Sequence, residues 1–218
     1  FPNLAKCQAL GSTLAWLHIK AQGVCLRRAN ALGPASWTPL LFSIGSDANI
    51  LADGMHQTIN RHLKQILSDW PSDLPYGIIH ADLFPNNVLF VGDKLTGVID
   101  FYFACEDILA YDIGICLNSW CFEADGSFNM KKSRALIQGY ESVRRLSVAE
   151  KQAIPVLSAG SAMRFFLTRL YDWIHTPKDA LVSRKDPMEY WDILRFHQSV
   201  SSVSAYGLNL SSPDGEIL

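Results

Sequence analysis

A set of polar residues suited to catalysis lies near the middle of the sequence, in the stretch GIIHADLFPNNVLF from Gly77 to Phe90. Asp82 precedes Asn87 by five residues, and a second carboxylate, Asp100, follows thirteen residues later behind two apolar β-forming residues. A carboxylate can accept the proton of an attacking hydroxyl, while Asn and Asp oxygens are hard ligands suited to Mg²⁺ on phosphates. The pattern therefore indicates phosphoryl transfer, with Asp82 as the base and Asn87 and Asp100 as the metal ligands.

The flanking residues predict how this stretch is held. Short apolar runs bounded by turn residues indicate strands on both sides of the loop, and the last strand delivers Asp100 at its end. The strands are expected at 78–79, 88–91 and 95–99. His80 lies two positions before Asp82, so we expect it to point away from the chemistry and to pack under the loop as structural support.

The same residues resemble a known group of enzymes. His80 to Phe90 and Val98 to Phe101 are similar to the aminoglycoside phosphotransferase and choline kinase superfamily, although its members usually carry Gly in place of Ala81 and Asn86. The forms HADLFPNNVLF and IDFYFAC look like the type II homoserine kinases. The likeness continues through 111–114, 117–122, 164–173 and 190–200, and so spans nearly the whole chain.

The resemblance implies a fold. It is an α+β, protein-kinase-like C-terminal lobe, mainly helical with a small catalytic β-hairpin. We expect residues 1–218 to form this single lobe, with a frayed tail at 209–218. Kinases of this type also need an N-terminal β-lobe with a phosphate-covering loop and a strand lysine. No strand–glycine loop–strand pattern precedes residue 80, so that lobe is expected to be missing from this chain.

The resemblance also implies a reaction, transfer of the γ-phosphoryl group of ATP, with Mg²⁺, to the hydroxyl of L-homoserine on the route to threonine. Asp112 is expected to support the site by hydrogen bonding to the backbone of the catalytic loop. Homoserine is a zwitterion, so its carboxylate needs a cation, and the planar fork of arginine suits that task. We expect Arg164 or Arg169 to supply it, with Tyr102 in the segment that borders the acceptor pocket.

Two other functions are compatible with these residues. The first is a kinase for another small alcohol, such as an aminoglycoside, choline or a sugar; a choline site would need an aromatic cage, for which Tyr102, Trp120 and Trp173 are candidates. The second is a non-catalytic binding module that has kept the kinase lobe. The intact set of Asp82, Asn87 and Asp100 argues against such decay. The sequence is compatible with either ATP or GTP as donor.

Composition narrows the class of protein. The chain has 218 residues, 49% hydrophobic and 18% charged, which suits one globular unit with an ample core. A net charge of −2 gives no electrostatic case for binding nucleic acid or an anionic membrane. No apolar run approaches the roughly 20 residues of a membrane span. The five cysteines lack metal-site or disulfide spacing, so we expect buried reduced thiols and a cytoplasmic location.

Periodicity and capping signals predict the helices. They are expected at about 3–21, 46–69, 129–145, 147–173 and 187–206, with a further apolar helix opened by Asp112. Ser147 and Glu150 form a predicted capping box. Residues 22–45 are expected to be a loop because of their Gly and Pro content, and the segment from Phe101 to Ala110 another. The basic residues around 131–145 are expected to be a solvated face.

Overall fold

The computed structural model describes residues 2–24, 28–177 and 184–210. Within these residues the chain is mainly helical, with two small antiparallel sheets. The helices are α1 (Leu4–Lys20), α2 (Pro34–Ile44), α3 (Met55–Ser68), α4 (Leu109–Trp120), α5 (Met130–Glu141), α6 (Val148–His175) and α7 (Met188–Ser199). The strands are β1 (Tyr76–Ile79), β2 (Val88–Val91), β3 (Lys94–Val98) and β4 (Cys105–Ile108). Among the described residues, no helix combines the length and hydropathy needed to cross a membrane.

The two sheets frame the catalytic stretch. β2 and β3 form the predicted hairpin, with Val88 opposite Val98 and a register irregularity between Leu89 and Phe90. β1 pairs with β4 instead, from Tyr76 opposite Ile108 to Ile79 opposite Cys105. The loop after β1 therefore runs from one sheet to the other, with both of its ends fixed by strand pairing.

Helix α6 is the longest element and packs against both α4 and α7. It begins with the predicted capping box, in which the amide of Glu150 donates to Ser147 Oγ at 3.1 Å and the amide of Ser147 donates to Glu150 Oε2 at 2.9 Å. Pro155 lies inside the helix without ending it. This helix carries Arg164 and Arg169 towards the loop after β1.

Helices α1 and α5 pack closely along one side of the fold. The Asn3 and Asn129 side chains cap their first turns, as the helix predictions at 3–21 and 129–145 require. A methyl group on Gly11 would overlap the carbonyl oxygen of Leu136, and one on Gly139 would overlap that of Gln8. The absence of these two side chains is what lets the helix backbones approach.

Four of the expected element assignments or boundaries are wrong. Residues 22–45 are not all loop, because Pro34 occupies the first turn of α2, where a proline has no amide bond to lose. Buried Trp37, Leu41 and Ile44 form one face of that helix. The helix expected from residue 46 begins at Met55, after a 3₁₀ turn over 45–50 and a left-handed Gly54.

The other wrong boundaries lie further along the chain. The segment expected to be a loop between Phe101 and Ala110 contains a 3₁₀ turn at 101–103 and the strand β4, whose partner β1 is distant in sequence. The last helix ends at Ser199 instead of near 206, and a separate 3₁₀ turn follows at 203–206. Of the tail predicted to fray, residues 211–218 lie outside the described residues.

The basic residues near α5 were expected to form a solvated face, but two of them make ion pairs within the fold. Lys132 is buried and pairs with Glu123 at 2.7 Å, and Arg144 pairs with Glu150 at 2.8 Å. Both cations therefore tie elements together. The cysteine prediction is confirmed for the four that the structure describes, all buried and free, whereas Cys25 lies outside the described residues.

The α1–α5 contact predicts a steric effect. Gly139→Ala should destabilise the protein by about 1–3 kcal/mol, because the new methyl group must push the two backbones apart. Urea unfolding monitored by circular dichroism measures the loss. The matched control is Gly97→Ala, where a methyl group would meet Leu89 at an ordinary contact distance of 3.5 Å. Equal stabilities for the two variants would contradict the close backbone approach.

Burial of His197 predicts a pH effect on stability. The ring is fully enclosed; its Nε2–H donates to Asn118 Oδ1 at 2.6 Å and its Nδ1 accepts from the Tyr206 hydroxyl at 2.7 Å. Burial lowers the pKa of His197 to about 3. The unfolded chain, with an ordinary histidine pKa, takes up the proton first, so the stabilisation present above pH 6.5 is lost as the pH falls.

Between pH 7.5 and 5.5 this group should cost the protein about 1.4 kcal/mol of unfolding free energy. Urea unfolding at both pH values, on the parent protein and His197→Gln, measures the effect. Other titrating groups are common to both proteins, so their contribution cancels in the difference. A His197→Gln variant with the same pH sensitivity as the parent would contradict the prediction.

Candidate active site

The loop after β1 has an unusual backbone. Ala81 is buried and adopts the left-handed conformation, with φ of 63°. Beyond it, the amide of Phe84 donates to the Asp82 carbonyl at 2.9 Å and a 3₁₀ turn forms over 85–87. The Trp120 indole donates to the Leu83 carbonyl at 2.8 Å from α4. The loop conformation is thus set by tertiary contacts as well as by its own sequence.

Asn87 is joined directly to Asp82. Its Nδ2 donates to the Asp82 carbonyl at 2.8 Å and lies 3.4 Å from the Asp82 carboxylate. The side-chain Nδ2 of Asn86 donates to Asn87 Oδ1 at 2.9 Å, which fixes the direction of the Asn87 side-chain amide. Asn87 Oδ1 keeps a second lone pair for a further ligand.

His80 links this loop to the strand end that carries Asp100. Its Nε2–H donates to the Ile99 carbonyl at 3.1 Å, and its Nδ1 accepts from the Asp82 amide at 3.3 Å. The Ile99 amide donates to the Asn87 carbonyl at 3.0 Å. Asp100 follows with φ of 64° and an exposed side chain. The three predicted polar groups therefore share one small region.

Asp112 lies beneath the loop and is completely buried. Its carboxylate accepts from the amides of His80 at 2.7 Å and Ala81 at 2.8 Å, so the bonds expected from this residue to the loop backbone are present. It does not cap its own helix. Burial works to raise the pKa of Asp112, but hydrogen bonding and charge from His18 and the backbone bond from His80 hold it below its ordinary value.

A chain of buried hydrogen bonds continues from Asp112 to the far side of the fold. His18 lies 3.3 Å from the Asp112 carboxylate through Nε2, and its Nδ1 lies 2.7 Å from the Tyr140 hydroxyl. Arg144 donates to that hydroxyl at 3.2 Å. An ionised Asp112 only accepts, so Nε2 of His18 carries a proton and donates it to the Asp112 carboxylate.

The electrostatic surroundings of Asp82 are mixed. Burial is the main influence and raises the pKa of its carboxyl group, and the nearby charge of Asp100 acts in the same direction. Arg164, His80 and Lys185 act in the opposite sense. A carboxylate whose pKa is raised holds a proton more firmly than an exposed aspartate does.

Asp82 opens onto a cavity of about 680 Å³ between the loop and α6. Charges of both signs line it, together with apolar rings. The lining includes Asp82, Phe103, Arg164, Thr168, Arg169 and Asp172. Such a cavity can hold a small ligand that carries both a positive and a negative group.

The two arginines predicted to bind substrate both face this cavity, and both already have protein partners. Arg164 Nη1 donates to the Ala81 carbonyl at 2.5 Å. Arg169 pairs with Glu189 at 2.6 Å and donates to the Asp186 carbonyl at 3.2 Å. Tyr102 is 70% exposed, and the aromatic side chain from its segment that lines the cavity is Phe103. Substrate binding by Arg164, Arg169 and Tyr102 stays a prediction.

Comparison with known proteins assigns the family. Residues 4–146 match the family described as "Phosphotransferase enzyme family". The chain belongs to this family. The match covers the catalytic loop, the hairpin and Asp112, whereas the side of the cavity formed by α6 lies beyond it.

Curated relatives of this phosphotransferase are homoserine kinases. Over 207 residues the chain is 53% identical to "Homoserine kinase" of Sinorhizobium fredii and to that of Rhizobium meliloti, covering 95% of this chain and 64% of each relative. That of Gluconacetobacter diazotrophicus is 53% identical over 208 residues, covering 94% and 65%. The chain thus spans slightly less than two thirds of the length of these relatives.

Solved structures share the fold of this phosphotransferase. A choline/ethanolamine kinase family protein from Mesorhizobium loti superposes with a TM-score of 0.65 at 17% identity, covering 91% of this chain and 64% of that one. Amicoumacin kinase, solved with AMP-PNP, Ca²⁺ and Ami, gives 0.64 at 17% identity, covering 94% and 59%. These likenesses confirm the expected kinase-like C-terminal lobe fold.

The donor set of this phosphotransferase fits a Mg²⁺ ion that is bound together with phosphates. Asn87 offers one oriented amide oxygen and Asp100 an exposed carboxylate, both hard oxygen ligands. The described residues contain no cluster of three or more His, Cys, Asp or Glu side chains that could hold a metal by themselves. Mg²⁺ commonly uses one or two protein oxygens and completes its shell with phosphate and water.

Sequence reasoning missed several contacts of this site. The pairing of His18 with Tyr140 joins residues 122 positions apart, and that of Arg164 with Ala81 joins residues 83 apart. Lys185 also went unnoticed, although it lines the cavity and its charge acts on Asp82. The one available signal for His18 was its place on the apolar face of α1, where a buried histidine needs polar partners.

The Asp112 contacts predict a loss of stability. Asp112→Asn leaves one acceptor oxygen for three donors and turns an NH₂ group towards one of them, so we expect a cost of about 1–3 kcal/mol. Urea unfolding measures it. Asp93→Asn is the control, because Asp93 is exposed and accepts a bond from Asn3 that an amide oxygen can also accept. If the two variants are equally stable, the buried carboxylate is not a structural anchor.

Proposed function

We propose that this chain is the C-terminal lobe of a homoserine kinase, which transfers the γ-phosphoryl group of ATP to the hydroxyl of L-homoserine. The observation that carries the proposal is Asp82, half-buried at the mouth of a cavity of mixed charge and held by Asn87 beside Asp100. The homoserine kinase relatives support the choice of acceptor. The enzyme would act in the cytoplasm on the route to threonine, and the buried free thiols suit such a reducing compartment.

The remaining length of the relatives would supply the other half of the nucleotide cleft. We propose that residues 1–218 form one domain and that the rest of the enzyme forms an N-terminal β-lobe against it. Apolar side chains exposed near the hairpin support this arrangement, because such surface is usually covered. They are Leu89, Val91, Ile99 and Phe101.

Asp82 would act on the acceptor hydroxyl. Its carboxylate accepts a hydrogen bond from the hydroxyl and orients the oxygen towards phosphorus. In a loose transition state the hydroxyl keeps its proton until bonding to phosphorus is advanced, and Asp82 then takes the proton. The raised pKa of Asp82 suits this late transfer, because the carboxylate must hold the proton once it arrives.

Asn87 and Asp100 would hold the Mg²⁺ ion through their oxygens. When bound, the ion neutralises the charge of the β- and γ-phosphates. His80 links the backbone at Asp82 to the strand end that carries Asp100, because it donates to the Ile99 carbonyl next to Asp100 and accepts from the Asp82 amide.

The cavity offers partners for both charges of homoserine. Asp172 could meet the ammonium group, and Arg169 or Lys185 the carboxylate, since each of these side chains lines the cavity. The described residues place no carboxylate within 4 Å of Lys185 Nζ, which lies over the Phe84 ring. A choline cage receives no support, because Trp120 is buried and its indole is already bonded to Leu83.

Full-length enzyme assayed with ATP and Mg²⁺ tests the proposal. L-homoserine should be phosphorylated, whereas 3-aminopropan-1-ol, which lacks only the carboxylate, should react poorly. Phosphorus NMR of the product identifies the ester formed. Equal kcat/KM for the two alcohols would contradict a zwitterion site, and a preference for choline would contradict homoserine as the acceptor.

Asp82→Asn in the same enzyme should lower kcat by about 10²-fold or more, because the amide cannot accept the proton. Nucleotide affinity, measured by calorimetry, should change little. Asp93→Asn, on the nearby hairpin turn, should keep the parent kcat. Retention of near-parent kcat by Asp82→Asn would remove Asp82 from the role of base.

A further inference from the structure

We propose that Arg164 is a positioning residue for the base Asp82, and that it acts by holding the Ala81 carbonyl from α6. This inference rests on the proposed phosphotransferase function. It assigns Arg164 a role other than the substrate clamp expected from the sequence. The residue touches the loop backbone and lines the same cavity as Asp82.

The first support is the way in which Ala81 is held on both sides. Its N–H donates to Asp112 at 2.8 Å, and its carbonyl accepts from Arg164 Nη1 at 2.5 Å. These two groups belong to the peptide planes on either side of the Ala81 Cα, so together they restrain φ and ψ of this residue. The second plane also carries the Asp82 amide, and its orientation therefore sets the direction in which Asp82 leaves the loop.

The second support is strain. A residue with a Cβ pays a steric cost in the left-handed region, and such a conformation persists only where its surroundings over-determine it. Ala81 has φ of 63° and is buried. Asp112 alone anchors the preceding peptide plane. The following peptide plane is held at its carbonyl by Arg164 and, through a longer bond of 3.3 Å from the Asp82 amide to His80 Nδ1, at its N–H. Releasing the Arg164 bond therefore removes the shorter of the two restraints on the torsion that places Asp82.

The third support is the burial of Arg164 itself. The side chain is 2% exposed, and its guanidinium lies 4.4 Å from the Phe165 ring centroid and 5.7 Å from that of Phe103. Among the described residues its Nε has no hydrogen-bond partner. A buried cation held by a carbonyl and two rings is rigidly placed, as a positioning group must be.

Arg169 provides a matched control. It lines the same cavity from the same helix, yet its guanidinium pairs with Glu189 and makes no described contact with the loop after β1. Replacing it removes a cation near the substrate without releasing Ala81. The two arginines therefore separate positioning of the base from electrostatic binding of the acceptor.

The test compares Arg164→Met, Arg164→Lys and Arg169→Met in the full-length enzyme. Arg164→Met should lower kcat by about 10²-fold while KM for homoserine and ATP changes less than about threefold. Arg164→Lys keeps the cation but loses the planar fork and its stacking on the rings, and should still lower kcat with little change in KM.

Hydrogen exchange at the Ala81 amide gives a readout that needs no substrate. Protection should fall at least about tenfold in both Arg164 variants and stay at the parent value in Arg169→Met. A parent enzyme that fails to phosphorylate homoserine while this protection pattern is observed would contradict homoserine as the acceptor. That result would still support the restraint of the loop by Arg164. If Arg164→Met does not fold, Arg164→Lys carries the test alone. A rise in KM for homoserine with unchanged kcat and unchanged Ala81 protection would overturn the proposal.

Discussion

The buried carboxylate of Asp112 is the interaction on which the rest of the site depends. It accepts bonds from two consecutive loop amides and from His18, so one side chain on α4 joins the catalytic loop to α1. A buried charge is tolerated only where hydrogen bonds satisfy it, which makes these contacts mutually necessary. Ala81 can adopt its strained left-handed conformation because its amide is hydrogen-bonded to Asp112. The position of Asp82, the next residue, follows from that backbone conformation.

Local features of the fold were predictable because their physical causes lie within a few residues. The capping box at Ser147 and Glu150, the Asn3 cap and the β2–β3 hairpin all depend on near neighbours in the chain. Strand β4 was missed because its partner, β1, lies about 30 residues away and the pairing leaves little trace in the local pattern. Helix α2 was missed because Gly33 and Pro34 mark a turn and a helix start equally well.

In the candidate site, too, the features with local causes were predictable and the long-range contacts were not. The spacing of Asp82 and Asn87 predicted that the two side chains lie together, and they do, since one loop of fixed length sets both. The resemblance led to Asp112, whereas neither pattern nor resemblance disclosed the partners of His18 or Arg164. A residue type tells what a side chain can bind, but the folded chain decides which group reaches it. In the folded chain Arg164 already donates to the Ala81 carbonyl.

The close contact of α1 with α5 has a consequence for the order of folding during synthesis. Helix α1 ends at Lys20, but the surface that buries its apolar face begins at Met130, and the glycines at 11 and 139 make that surface specific. At roughly 5–20 residues per second, the ribosome needs several seconds to deliver α5. During that interval Gly11 and Gln8 remain without their native neighbours on α5. Helix α1 therefore waits for a partner that is made only after α2, α3 and α4, and its apolar face is meanwhile accessible to chaperones.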